Sequence, residues 1–138
     1  MIILDTNVIS ALMQTRPEIR VIQWLDRQPA ESIWITSINL FEIYYGLAQL
    51  PQGKRRNGLE SAFEALLRED LEQRILNFDH AAADRAAQLA ARRRQQGRPV
   101  DMRDTLIAGI CEARQATLAT HNTHHFDDLA TPVVDPWE

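Results

Sequence analysis

The chain has a single cysteine, no apolar run approaching the length of a membrane span, no repeat or low-complexity segment, and no large excess of charge of either sign. With one cysteine no intrachain disulfide can form, and Cys111, inside the apolar run LIAGIC, reads as a buried, inert thiol suited to a reducing compartment. The N-terminus carries neither a basic region nor a signal-like cleavage site, so neither a membrane association nor export is expected, and the cytoplasm is the expected location. Without a linker or an internal period, residues 1–138 are expected to form one domain. The net charge of -4 gives no global attraction to nucleic acid.

What the chain does contain is an ordinary globular composition, 45% hydrophobic and 25% charged over 138 residues, enough to bury a core without a metal or a disulfide. Apolar runs of strand length alternate with helical patterns, which implies an α/β fold with a central parallel β-sheet flanked by helices. The expected strands are Ile2 to Leu4, Ile33 to Ile35, Arg74 to Phe78, Thr117 to Ala119, and an edge strand at Pro132 to Val134. Pro17 reads as a first-turn proline of a helix over Glu18 to Arg27. Thr36 or Ser37 can cap a helix that ends before Pro51-Gln52-Gly53, and a further helix is expected from Arg55 to about Asp70. Asp79 can cap an alanine-rich helix whose arginines complement the dipole before Gly97 closes it. A last helix spans about Met102 to Arg114.

Acids fall where such a sheet binds ligands, outside the carboxyl ends of its strands. Asp5 follows the first strand directly. Glu42 lies one to two turns into the helix after IWIT, among Ile38, Phe41, Tyr45 and Leu47, a poor setting for an unpaired carboxylate. Asp104 stands in the first turn of the last helix, with Asp101 as its cap, and TLAT runs into His121-Asn122. An aspartate at a helix start is ordinarily a cap, so Asp5 or Asp104 alone carries little; Glu42 has no such explanation and needs a cation or a buried donor. Three converging carboxylates repel one another unless a multivalent cation neutralises them, and oxygen-only ligands suit Mg²⁺ or Mn²⁺. Such a cluster can support metal-assisted hydrolysis of a phosphodiester.

The set Ile3-Leu4-Asp5-Thr6-Asn7, Glu42 with Gly46 in FEIYYG, Asp104-Thr105-Leu106-Ile107-Ala108, and Leu118-Ala119-Thr120-His121-Asn122 with Phe126 resembles the PIN-domain ribonucleases, most of all the VapC-type toxins of bacterial toxin–antitoxin pairs. The likeness runs from residue 2 to about residue 126, with four motifs in order and spacing. It implies a PIN-like three-layer α/β/α domain, a homodimer, Mg²⁺- or Mn²⁺-dependent endonucleolytic cleavage of RNA, and inhibition by a small DNA-binding antitoxin protein. By the same resemblance Asp5, Glu42 and Asp104 are the metal-binding and catalytic acids. Thr6, Asn7, Thr36 and Thr120 are supporting polar positions, and Asn122 stands at the family's fourth acid position, where an amide brings no charge.

Other readings compete. A strand ending in aspartate also opens the haloacid-dehalogenase-like phosphatases, but those resemble DxDx(T/V), and the place of the second aspartate is held here by Asn7. An α/β module that only binds RNA or protein would need no convergence of Asp5, Glu42 and Asp104. The clusters Lys54-Arg55-Arg56 and Arg92-Arg93-Arg94 with Arg98 are candidates for RNA phosphate contacts, Lys54, Arg55, Arg56 and Arg98 foremost, although charged runs on helices are usually a solvated face. The histidines of HNTHH, His121, His124 and His125, lack a zinc-site spacing and fit a loop that meets phosphates or solvent. Trp24, Trp34, Tyr44 and Tyr45 read as core or dimer interface before base-stacking platforms.

Overall fold

The structure, a computed structural model, describes residues 1–138. In chain order it comprises β1 (Ile2–Leu4), α1 (Thr6–Met13), α2 (Ile19–Asp26), β2 (Ile33–Thr36), α3 (Ser37–Gln49), α4 (Lys54–Ala65), β3 (Ile75–Leu76), α5 (His80–Gln95), α6 (Met102–Arg114), β4 (Thr117–Ala119) and β5 (Val133–Val134). Three apolar residues in succession fit a strand covered on both faces. β1 is that strand: it lies at the centre of a five-stranded sheet of order β3-β2-β1-β4-β5, every pairing parallel.

Alternation along the strands sorts the core into two layers. Leu4, Ile33, Ile35 and Ala119 face one side, where Val8 and Ile9 of α1, Val21 of α2, Ile43 of α3 and Phe63 of α4 cover them. Ile3 and Leu118 face the other, against Leu89 of α5 and Ile107, Ile110 and Cys111 of α6. The result is the three-layer α/β/α arrangement expected from the sequence. α5 and α6 approach closely because the contact is built from small residues. A Cβ on Gly109 would stand 2.6 Å from both the Ala82 carbonyl oxygen and the Ala86 Cβ. No helix is long and apolar enough to cross a membrane.

Several expectations need correction at their edges. Pro17 lies one residue ahead of the cap Glu18, outside the first turn of α2. Lys54 opens α4, after Gly53 at its N-cap. The helix expected to reach Asp70 does so by changing winding, α-helical to Ala65 and π-helical over Leu66–Asp70. β3 and β5 are two residues each, shorter than their apolar runs. The chain then turns from Leu71 into β3 through Glu72 and Gln73, both at positive φ.

Candidate active site

The strand order reverses direction at β1, which pairs with β2 on one side and β4 on the other, and such a switch point opens a crevice at the carboxyl ends. Asp5 stands at that point. Its backbone N–H donates to the Ala119 carbonyl at 2.9 Å, extending the sheet by one bond. Its side chain caps α1, accepting from the Thr6 N–H at 2.8 Å, so the ordinary capping role is real. The second carboxylate oxygen accepts from the Thr120 hydroxyl at 2.8 Å across the β1/β4 seam. Asp5 is only 5% exposed, and no cationic side chain pairs with it.

Glu42 and Asp104 enter from the helices on either side of the sheet. Thr6 donates its hydroxyl to Glu42 Oε1 at 2.8 Å, and Arg103 lies 3.7 Å from Oε2. The apolar surroundings expected for Glu42 are thinner than the sequence implied, since Phe41 and Tyr45 of α3 turn outward and stack on each other. Asp104 sits in the first turn of α6, its N–H bonded to the cap Asp101 at 3.0 Å and its Oδ2 3.4 Å from His125 Nδ1.

Burial is the main cause of the electrostatic state of all three. Loss of hydration pushes Asp5 up to about 6, against the opposing hydrogen bonds from Thr120 and Thr6, with Asp104 and Glu42 adding repulsion. Glu42 is raised by burial, opposed by Thr6 and Arg103, with Asp104 adding repulsion, and Asp104 is raised by burial and by Asp101. The three acids therefore share one field although they come from three elements. Their side chains do not close into a ready-made nest of three ligands. The donor set is all oxygen and anionic, and it suits an ion such as Mg²⁺, which keeps several waters and takes one or two carboxylates directly.

The polar residues divide by reach. Thr6 and Thr120 touch the acids directly. Asn7 donates to the Thr120 hydroxyl at 3.2 Å and accepts from the His121 N–H at 3.2 Å, bracing the β4 end. Thr36 touches none of the acids; it caps α3 in a reciprocal box with Asn39. Fully buried Asn39 then donates to Thr6 Oγ1 at 3.0 Å, completing a relay from β2 to Glu42. Sequence reasoning missed Asn39, although T-S-I-N at a strand-to-helix junction is a capping signal that could have found it. At Asn122 the main chain holds the position, its N–H donating to Thr120 Oγ1 at 3.0 Å and its carbonyl accepting from His125. No hydrogen bond ties its side chain to an acid.

The basic candidates scatter. Arg56 is tied to Glu60 and to the Leu50 carbonyl, and Lys54 and Arg55 line a cavity with Met13, Gln14 and Thr15 at the far end of α1. Arg93 is neither solvated nor a phosphate contact: it is 2% exposed, makes two bonds to Asp128 at 2.8 and 2.7 Å, and reaches the His125 carbonyl and Thr105 hydroxyl. Of the clusters, Arg98 shares a cavity with Asp104, and buried Arg93 forms part of the same wall. Of the aromatics, Trp24 and Trp34 pack against the core, Tyr44 lies edge-on to Phe63 but is half exposed, and Tyr45 is half exposed.

The PIN domain family model matches residues 2–132. The chain is 35% identical over 138 residues to the VapC ribonuclease Y4jK of Sinorhizobium fredii, covering 100% of this chain and 99% of the relative. It is 34% identical over 137 residues to toxin FitB of Neisseria gonorrhoeae, covering 99% of each. Among solved structures, that of FitAB bound to an IR36 DNA fragment superimposes with a TM-score of 0.89 at 33% identity, over 100% of this chain and 96% of that one.

Proposed function

The chain belongs to the PIN-domain family, and from that premise we propose that it is a single-domain, metal-dependent endoribonuclease toxin, held inactive by a cognate antitoxin. The observation that carries the reading is buried Asp5 at the sheet's switch point, bonded by neutral donors alone and in one field with Glu42 and Asp104. A fold keeps like charges in such a place only at a cost in stability, and that cost is offset when a cation binds.

Asp5, Asp104 and Glu42 would hold Mg²⁺ or Mn²⁺. When bound, the ion supplies charge neutralisation of the scissile phosphate and an activated water for its hydrolysis. The chain's own groups set the geometry. Thr120 fixes one oxygen of Asp5 and the Thr6 N–H the other, so the Asp5 carboxylate has one orientation. Asn39 and Thr6 fix Glu42, and Asp101 fixes the first turn that carries Asp104. Such supporting bonds commonly govern metal affinity and activity by roughly 10- to 100-fold. Asn122 contributes an amide in place of a fourth charge, leaving three formal negative charges, enough for one firmly held divalent ion.

The likeness to toxin FitB and to the DNA-bound FitAB complex supports a small DNA-binding partner, and the reading includes a homodimer of this chain acting in the cytoplasm. A haloacid-dehalogenase-like activity has no support in this site, where Asn7 braces Thr120 instead of supplying a second acid. The test is expression of the chain without the neighbouring reading frame, followed by sequencing of cellular RNA ends. Growth arrest with new RNA ends at defined sites is expected, both lost with Asp104→Asn and both suppressed by co-expressed antitoxin. Unchanged growth and RNA at high expression contradict the reading.

A further inference from the structure

Beside Asp104 a cavity of about 340 Å³ opens between the α5–α6 connection and the turn Thr123–Phe126. Its walls are Arg98, Asp101, Asp104, His124, His125 and Arg93, and apart from Pro99 no apolar side chain lines it. An aliphatic side chain would find nothing to pack against there, whereas the imidazole and guanidinium groups of the wall can donate to a sugar–phosphate unit.

The donors are fixed before any ligand arrives. Arg98 bonds Asp127 at 2.7 Å through Nη1 and the His124 carbonyl at 3.0 Å through Nη2, which sets the plane of its guanidinium. Arg93 grips the next carbonyl, that of His125, at 3.0 Å. Two arginines thus clamp the main chain of the turn whose imidazoles line the cavity, and those rings meet edge to face with centroids 4.3 Å apart. His125 Nδ1 lies 3.4 Å from Asp104 Oδ2, so the cavity is contiguous with the acid site.

We propose that this cavity is a subsite for a backbone phosphate of the RNA strand next to the one cleaved, with Arg98 and His124 as its ligands. The assignment rests on the ribonuclease reading of the neighbouring acids. It gives the active site a polarity, since the strand must leave Asp104 on the His124–His125 side. It also separates Arg98 from Lys54 and Arg55, which line a different cavity at the far end of α1.

The experiment uses the purified full-length chain with Mn²⁺ and an RNA oligonucleotide spanning a mapped cut, each flanking phosphate replaced in turn by an uncharged methylphosphonate. One replacement is expected to raise KM about three- to tenfold with kcat unchanged, and Arg98→Gln to raise it as much on the unmodified strand. Combined, the two changes should do no more than either alone. The dependence of log binding on log salt should also lose about 0.7 in slope with Arg98→Gln, the share of one single-strand phosphate. Because Arg98→Gln also breaks the bond to Asp127, His124→Gln serves as the second variant, leaving that pair intact. Additive effects, or an unchanged KM in both variants, overturn the subsite while leaving the ribonuclease in place. Unchanged KM together with weakened antitoxin binding overturns it in favour of an acidic protein side chain. No cleavage by the wild-type chain overturns the ribonuclease reading and the subsite with it.

Discussion

The molecule buries charge in two places and treats them oppositely. Arg93, inside the α5–α6 layer, is 2% exposed and fully answered: Asp128 takes two of its bonds, His125 and Thr105 take the rest. The Asp128 carboxyl is accordingly held below its usual range, first by that hydrogen-bonded arginine. Asp5, 5% exposed across the sheet, receives only neutral donors, and burial drives its carboxyl up to about 6. The first arrangement organises the fold, since it joins α5, the start of α6 and the turn before β5. The second weakens the fold, and a bound cation is what would reverse the sign of its contribution.

The sharpest way to break this comparison is to remove each charge in turn. Asp5→Asn, Glu42→Gln or Asp104→Asn should each lower RNA cleavage by more than the roughly 100-fold typical of losing a supporting bond, and the losses should not add, because the three acids act as a unit. Asparagine caps a helix about as well as aspartate, so Asp5→Asn should fold normally. Full cleavage by any of the three variants, measured on a defined RNA, contradicts the assignment. Arg93→Met has the opposite profile. It should cost on the order of 2–3 kcal/mol of unfolding free energy, measured by denaturant titration, because Asp128 loses two hydrogen bonds and keeps only Arg98, at 3.7 Å, as a cationic neighbour. Adding Asp128→Asn should recover part of the loss.

The two sites also respond oppositely to pH. Asp5 has a folded pKa above its unfolded value, so the metal-free protein binds the extra proton between about pH 4 and 6 and loses stability as pH rises through that window. Glu42 and Asp104 act in the same direction. Asp128, lowered by Arg93, contributes stability that is present above the ordinary carboxylate range and is lost as pH falls. Asp5→Asn should therefore gain on the order of 2–3 kcal/mol relative to wild type between pH 4 and pH 7 without metal. Parallel stability curves for the two proteins over that range would show that Asp5 is not the strained group.

Much of this contrast was legible in the sequence, but unevenly. A strand running straight into Asp5-Thr6-Asn7, and Asp104 ahead of an apolar helix, are local patterns, and local patterns place residues at strand ends. They also located Asp79 and Asp101 as helix caps and narrowed the cap of α3 to Thr36 or Ser37, of which Thr36 holds it. What depends on distant partners was hidden. Arg93 sits between Arg92 and Arg94 in a run that looks solvated, and only its approach to Asp128, 35 residues away, makes it internal. Asn39 reads as one polar residue on an amphipathic helix until Thr6 arrives from 33 positions upstream. Phe41 and Tyr45 looked like cover for Glu42 because helical spacing does not say which face meets the sheet.

The smallest effect expected concerns Asn122. Its main chain is bonded to Thr120 beside Asp5, so Asn122→Asp would add a charge at the margin of the acid field. The Mn²⁺ concentration for half-maximal cleavage should then fall, with no required gain in maximal rate. Identical titration curves would place the side chain outside the ligand shell.

The most direct test of the central claim, that the unanswered charge at the β1/β4 seam is kept for a divalent cation, is the melting temperature of the isolated chain as Mn²⁺ is added, for wild type and Asp5→Asn at pH 7. Wild type should start lower and rise with metal, while Asp5→Asn should start higher and respond weakly, so that the two curves converge or cross. A wild-type melting temperature indifferent to Mn²⁺, or an Asp5→Asn variant that gains as much from the metal, would contradict it.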